Sequence, residues 1–502
     1  MNFMSTSATS PASWRLCALA AMAMVLLSLI PQIHLWLVRG RDWNGAYATL
    51  QGDEFLYSAY VNALIDGRPR RNDPFAGRDS TPQAPLPEST FSIQFLPPYA
   101  IALLARATQV SASTAFIVLI GIAGLLAGWS IFWLLASVTA EPKLAAAGVF
   151  LVLCLGELAG DQGMVGVLLL NHELSVLLPF LRRYQPAAAF PLFFVFCTCV
   201  WKAISLEDRR RGRIYSIVAG LILCLLVFSY LYLWTAAAAW LMCLVALWVA
   251  FRPRQEWSRS LTVFSTIGLM MLLPLAAYLH LVAGRSSSMD DAQILVFTHK
   301  LDLFHPTELI GTGIVFVLIV GAQLGKVKVS EPRSILAASF ALLPLAVFNQ
   351  QFLTGRSLQP FHYDLFVVNY AVIVSLIILV SFLWRPIPNR ALVWIAALCF
   401  SYAILEVGLL ARARIASDVV DDQAVPVLLR LKELATDDGT LKGLRGGGKA
   451  SALVFSPHVE VMRLLPTWTP QGTLLGAGAQ DFGTATRKER KEILYAQLYF
   501  SD

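Results

Sequence analysis

The sequence predicts an all-α polytopic membrane protein of about eleven transmembrane helices, with a small C-terminal α/β lobe on the extracytoplasmic side. Three observations lead there. Of the 502 residues, 57% are hydrophobic and 14% charged, with a mean hydropathy of +0.63, whereas a soluble domain is about 25% charged. The apolar residues come in runs long enough to cross a bilayer, which takes about 20 residues in a helix. The basic residues, which give the net charge of +7, fall in short clusters between those runs. Clusters so placed act as topology signals, so no nucleic-acid partner is expected.

The first run, Leu16 to Val38, follows Arg15. It is longer than a signal-peptide core of about 7 to 15 residues and, with further runs behind it, reads as a retained signal anchor. Further spans are expected near Ala112 to Ser137, Leu144 to Ala159, Ala187 to Ile204, Ile214 to Phe228 and Tyr232 to Ala250. The last group is Leu261 to Val282, Glu308 to Leu324, Ile335 to Phe348, Leu365 to Leu383 and Ala391 to Leu410. Arg209, Arg210, Arg211 and Arg213 share one connection, Arg252, Arg254 and Arg259 another, Lys326, Lys328 and Arg333 a third, and Arg385 and Arg390 a fourth. Alternation puts all of them on the side of Arg15 and Lys143, the cytoplasm by the positive-inside rule. A bacterial inner membrane, a cytoplasmic N-terminus and an extracytoplasmic C-terminus are the expected setting.

The other side carries the length and most of the acids. Residues 1–410 are expected to form the multi-span domain with outer loops 39–108, 160–186, 284–306 and 349–364, and residues 411–502 the outer lobe. Loops this long are usually functional or disordered. The tail has amphipathic helix signals at Asp418 to Leu434, a Gly446-Gly447-Gly448 break, a β-like run at Ala452 to Phe455 and a helix pattern at Thr486 to Phe500. That last pattern ends without a capping glycine or proline, as in a chain shorter than its relatives. No internal repeat is visible, which speaks against a transporter of inverted-repeat design. The seven cysteines lie in apolar runs, as packing residues rather than disulfide or metal ligands.

In the first outer loop Gly52-Asp53-Glu54 precedes Phe55 to Gly67, in which apolar residues recur at helical spacing. This predicts an amphipathic helix in the membrane interface with Asp53 and Glu54 at its N-terminus. Two roles are open to the pair: catalytic carboxylates, or a helix cap and a first-turn acid.

A first apolar helix, a long outer loop opening on acids and a later Pro-containing segment, Phe95-Leu96-Pro97-Pro98-Tyr99-Ala100, resemble the GT-C superfamily of integral-membrane glycosyltransferases. The Asp53-Glu54 pair is similar to the Asp-Glu of protein O-mannosyltransferases. The resemblance covers roughly the first 250 residues. It implies a polyprenyl-phosphate-linked sugar donor, an extracytoplasmic glycan, lipid or protein acceptor, and inverting transfer with Asp53 as base and Glu54 as its helper.

The second outer loop holds Asp161, His172, Glu173, Arg182 and Arg183. GT-C proteins often place a second acidic site there, but neither Asp-x-Asp nor Glu-x-Asp occurs. One carboxylate from each loop would be needed to hold Mg²⁺ or Mn²⁺, so a divalent cofactor is an option rather than a requirement. The fourth segment, Asn349 to Asp364, is dense in hydrogen-bonding groups between two membrane helices, which makes it a functional candidate. It also resembles a segment of uncharacterised bacterial membrane proteins related to GT-C enzymes. Gln351, Arg356 and His362 are the donor-phosphate candidates, and an Arg356–Asp364 ion pair stapling a re-entrant loop is the structural alternative. A transporter or flippase of lipid-linked glycan and a non-enzymatic envelope assembly factor are the competing functions.

Overall fold

The computed structural model describes residues 11–170, 178–286, 296–384, 386–437, 453–456, 458–474, 482–484 and 486–500. Every predicted apolar run is helical. Among the described residues nine helices are long and apolar enough to cross a membrane: Ser13–Asp42, Ala112–Thr139, Pro142–Leu168, Leu231–Phe251, Trp257–Ala283, Pro306–Gln323, Pro332–Thr354, Pro360–Leu383 and Asn389–Leu434. The two remaining predicted runs fall short for separate reasons. Phe190–Ser205 has 16 residues, because the chain before it is occupied by turns, and Arg209–Val227 opens on Arg209, Arg210 and Arg211.

Helix starts follow the sequence closely. Pro142, Pro306 and Pro332 each stand in a first turn, where the missing N–H costs no hydrogen bond. The Ile335 to Phe348 run is split at Leu342, ahead of Pro344 in the next first turn.

The chain divides into two compact units. The first comprises Met1–Ile30, Ile120–Pro274 and Val296–Leu410. Its helices approach closely at small residues. Gly124 and Gly128, spaced four apart, meet the first helix so tightly that a Cβ would fall 2.9 Å from the Met24 carbonyl oxygen and 2.8 Å from Ala21 Cα. Such small-residue contacts hold membrane helices together where lipid tails are as apolar as leucine. Trp240, fully buried, stacks on Phe340 at 5.1 Å.

The second unit comprises Pro31–Leu119, Leu275–Leu295 and Ala411–Asp502, so the tail shares a body with the first outer loop. The predicted amphipathic helix is present as Glu54–Ile65, but its residues are buried within the unit on nearly every face. Leu56, Tyr57, Ser58, Ala59, Tyr60, Val61, Asn62, Ala63 and Leu64 are all buried. Its polar positions are consumed inside the unit: Asn62 Nδ2 donates to the carbonyls of Pro466 at 3.2 Å and Thr469 at 3.3 Å. Phe91 and Phe482 stack at 4.4 Å beside Phe75 and Tyr60.

In the tail, the predicted Asp418 to Leu434 helix belongs to one helix, Asn389–Asp437, that continues from the last apolar run. Leu453–Val454 and Gly472–Thr473 pair as parallel strands on either side of the helix Val459–Trp468, a minimal β-α-β unit. The final helix is Arg487–Phe500. The predicted glycine break at Gly446 to Gly448 lies outside the described residues.

Candidate functional site

The loop that leads to Asp53 is strapped down by acids from the Asn389–Asp437 helix. Asp422 Oδ1 accepts from the N–H groups of Asn44 at 3.0 Å and Ala46 at 3.1 Å, and its Oδ2 accepts from Arg39 Nε at 2.8 Å. Asp418 Oδ1 accepts from the Thr49 N–H at 3.0 Å and its hydroxyl at 2.8 Å. These acids were not singled out as site residues from the sequence. Their spacing along one helix face, together with Asp421, is the signal that would have found them.

Asp53 and Glu54 divide their roles. Glu54 is fully buried, and its Oε1 accepts from the N–H groups of Leu50 and Gln51, both at 3.2 Å. It closes the loop ahead of its own helix. Asp53 occupies the N-cap position but makes no side-chain cap hydrogen bond. Its partly exposed carboxylate accepts from the Tyr57 hydroxyl at 3.5 Å. The capping alternative would have the Asp53 side chain accept from the helix N–H groups.

Other acids of the first loop are structural. Arg70 grips Glu88 through two parallel bonds, at 2.6 and 2.7 Å. Asp73, fully buried, accepts from the N–H groups of Phe75 at 3.0 Å and Ala76 at 2.9 Å and from the Thr484 hydroxyl. Burial raises its pKa above the ordinary aspartate value, against the pull of those hydrogen bonds.

The other predicted site residues belong to the first unit. Arg356 is exposed in a short antiparallel pairing with Phe297, and its guanidinium lies 5.3 Å from the Phe297 ring centroid. The alternative pair with Asp364 is not formed; Asp364 is buried, and its Oδ1 accepts from the Thr307 hydroxyl at 2.9 Å. Gln351 is buried and donates to the Lys300 carbonyl at 3.2 Å. His362 stacks flat on Tyr232 at 4.5 Å, and the Tyr232 hydroxyl donates to Gln359 at 2.7 Å. The segment then passes through a π-helical turn, Asp364–Val368, a feature frequent at functional sites.

Asp161 is exposed, with φ +59°, in the turn before Gly163–Leu170. It and Glu308 lie close enough to Asp364 to act on its charge. Glu173 and His172 fall outside the described residues. Among the described residues no three His, Cys, Asp or Glu side chains converge as metal ligands do.

No protein-family model matches the chain, and no curated protein matches it. The structure is similar to the crystal structure of the oligosaccharyltransferase of Archaeoglobus fulgidus in complex with zinc and sulfate. The match has 12% identity and a TM-score of 0.46, and covers 91% of this chain and 62% of the archaeal one. At that identity and score no residue role passes from the archaeal protein to this one.

Proposed function

We propose that the chain is a membrane glycosyltransferase that moves a sugar from a polyprenyl-phosphate donor to an extracytoplasmic glycan, lipid or protein, with Asp53 as the general base. The observation that carries the reading is the division between the two adjacent acids. Glu54 is spent on the fold, while Asp53 keeps a partly exposed carboxylate that does not cap its helix. The GT-C resemblance of the same loop points to the same residue.

In the transfer, the acceptor hydroxyl oxygen bonds to the anomeric carbon as the bond from that carbon to the phosphate oxygen breaks. The electron pair leaves on the polyprenyl phosphate, and the hydroxyl proton passes to the Asp53 carboxylate. The phosphate leaves already stabilised and needs no strong acid. A base opposite the leaving group gives inversion, by analogy with inverting glycosidases. Separately, within the first unit, Arg356 is proposed as a phosphate-binding residue, since its guanidinium stays charged and offers two parallel donors. Gln351 and His362 hold the segment that bears it.

The test is mass spectrometry of lipid-linked sugars and envelope glycans in a deletion strain. Accumulated sugar-phosphate lipid together with one missing glycan modification is expected, and an unchanged glycan profile would sink the reading. The reading also needs the second unit outside. A periplasmic reporter fused after Gly447 should be active, and activity only in the cytoplasm would overturn it.

One observation favours the flippase reading. Glu157 and Glu406 are both buried in the helical unit, and a Cβ on Gly163 would fall within 3.2 Å of an oxygen from each. Buried acids within membrane helices mark ion or substrate paths by default. Donor lipid that accumulates only in the inner leaflet of the deletion strain would select it.

A further inference from the structure

The third and fourth outer segments, both in the first unit, build a single flap whose outer surface the proposed transfer leaves unexplained. Val296 and Phe297 pair antiparallel with Ser357 and Arg356, and the Thr298 N–H donates to the Gly355 carbonyl at 3.1 Å. Side chains close further backbone groups across the two segments. Gln351 Nε2 donates to the Lys300 carbonyl at 3.2 Å, and the Asp302 N–H donates to Asn349 Oδ1 at 2.9 Å.

The outside of this flap is apolar. Phe304 is 78% exposed and Leu353 84%, and Phe297, Leu301, Phe352 and Phe361 are exposed as well. A concentration of large bare apolar side chains marks a site of interaction. Its place in the chain says with what. Phe304 stands two residues before the apolar helix Pro306–Gln323, Leu353 in the last turn of Pro332–Thr354, and Phe361 in the first turn of Pro360–Leu383. A flap tied to the ends of three membrane-length helices lies at the membrane surface, where lipid is the neighbour at hand.

The charges of the flap complement that neighbour. Asp302 is taken by His305 at 3.0 Å and Glu308 by Asn349 at 3.1 Å, whereas the exposed Lys300 and Arg356 make no ion pair among the described residues. Phe297 and Arg356 stand opposite each other in the ladder and so share a face, with the guanidinium 5.3 Å from the ring centroid. Interfacial side chains are built this way: rings and aliphatic stems lie in the apolar layer while the charges reach headgroups and water.

We infer that the flap is an interfacial anchor. Its apolar side chains enter the boundary between headgroups and acyl chains to a depth of about 5–10 Å, and Lys300 and Arg356 meet the phosphates of anionic phospholipids. The hydrogen bonds between the two segments suit that setting, since unpaired backbone groups are not tolerated against lipid. The inference needs the chain to span a membrane and does not need it to be a transferase.

The experiment is electron paramagnetic resonance on the full-length protein in nanodiscs, with single spin labels on Phe304→Cys and Leu353→Cys. A label on Arg430→Cys, at an exposed ion pair of the tail, is the aqueous reference. Background from the native cysteines is measured in the wild type and subtracted. Oxygen should reach both flap labels more readily than a water-soluble nickel chelate does, with the chelate collision rate severalfold below that of the reference. Replacing phosphatidylcholine by phosphatidylglycerol should draw the labels deeper, and should cease to do so when Lys300→Gln and Arg356→Gln are added. Flap labels open to the chelate overturn the inference, and so does a depth indifferent to phosphatidylglycerol. Labels shielded from both oxygen and chelate mark a protein contact, such as a second copy, and overturn it too. Flap labels in lipid on a protein without transfer activity remove only the transferase, and labels in water on an active transferase remove only the anchor.

Discussion

The first outer loop and the fourth segment, 349–364, look alike in sequence. Each is a polar stretch between apolar helices, and each carries charged residues with a plausible chemical role. They fold in opposite ways. In the first loop several charges are paired internally: Arg68 on Asp79 at 2.7 Å, Arg70 on Glu88 at 2.6 Å, Glu54 on two backbone N–H groups. The fourth segment buries Asp364 but exposes Arg356 and leaves apolar residues bare, with Leu353 84% exposed and Phe352 and Phe361 exposed as well. Polar density alone therefore does not mark a site. What matters is what each charge does in the fold: Glu54 is taken up by backbone N–H groups, Asp53 keeps a partly exposed carboxylate that does not cap its helix, and Arg356 is exposed in the fourth segment.

The largest effect should come from breaking the strap that makes the first loop rigid. Asp422 is completely buried against Arg39 and two backbone N–H groups. Removing one partner of a buried pair costs about 3–5 kcal/mol. Asp422→Ala is expected to lower the thermal midpoint and open residues 44–52 to limited proteolysis. A variant with wild-type stability and protection would mean that the strap holds nothing.

Next comes Asp53 itself. Asparagine keeps a capping oxygen but takes no proton. Asp53→Asn should fold and bind donor normally while turnover falls on the order of 10²-fold, the usual contribution of a general base. Near-normal turnover, with stability lost only in Asp53→Ala, would make Asp53 a cap after all and Glu54 the next carboxylate to test.

For the fourth segment the expected effect is smaller. Lysine cannot reproduce a bidentate grip on phosphate, so Arg356→Lys should raise the donor KM by about tenfold, roughly 1.4 kcal/mol, with folding unchanged. An unchanged donor titration would return Arg356 to a surface residue packed on Phe297.

The helices were legible because an apolar run of membrane length has few other ways to satisfy its backbone. The Glu54–Ile65 helix was legible as a helix and misplaced in its setting. Its apolar and polar positions look amphipathic only until Asn62 and Glu54 find partners from distant or preceding backbone. The role of Asp418 and Asp422 was hidden because their partners at Asn44, Ala46 and Thr49 lie more than 360 residues earlier in the chain. Helical spacing shows that two acids share a face, but not what faces them. The alternative Arg356–Asp364 pair is not formed: Asp364 is buried and accepts from Thr307, while Arg356 is exposed over the Phe297 ring.

The smallest effect tests whether a buried acid of the first loop is structural, as its contacts indicate. Asp73 is sealed from solvent, and burial raises its pKa. The folded state then binds a proton more tightly than the unfolded chain does. Stability contributed by that proton is fully present below the ordinary aspartate range and is lost as pH rises through that range to the raised value. Asparagine at this position keeps an acceptor for the N–H groups of Phe75 and Ala76, turns a donor toward the Thr484 hydroxyl, and carries no charge to desolvate. Asp73→Asn should therefore match the wild type within about 1 kcal/mol and flatten the part of the stability–pH curve that Asp73 contributes, with turnover unaffected. The measurement is the thermal midpoint across the acid range, alongside transfer activity at neutral pH. A large loss of turnover in a stable Asp73→Asn protein would show that this acid, too, is held for chemistry, and the contrast between the buried acids of the first loop and the partly exposed Asp53 would no longer single out the base.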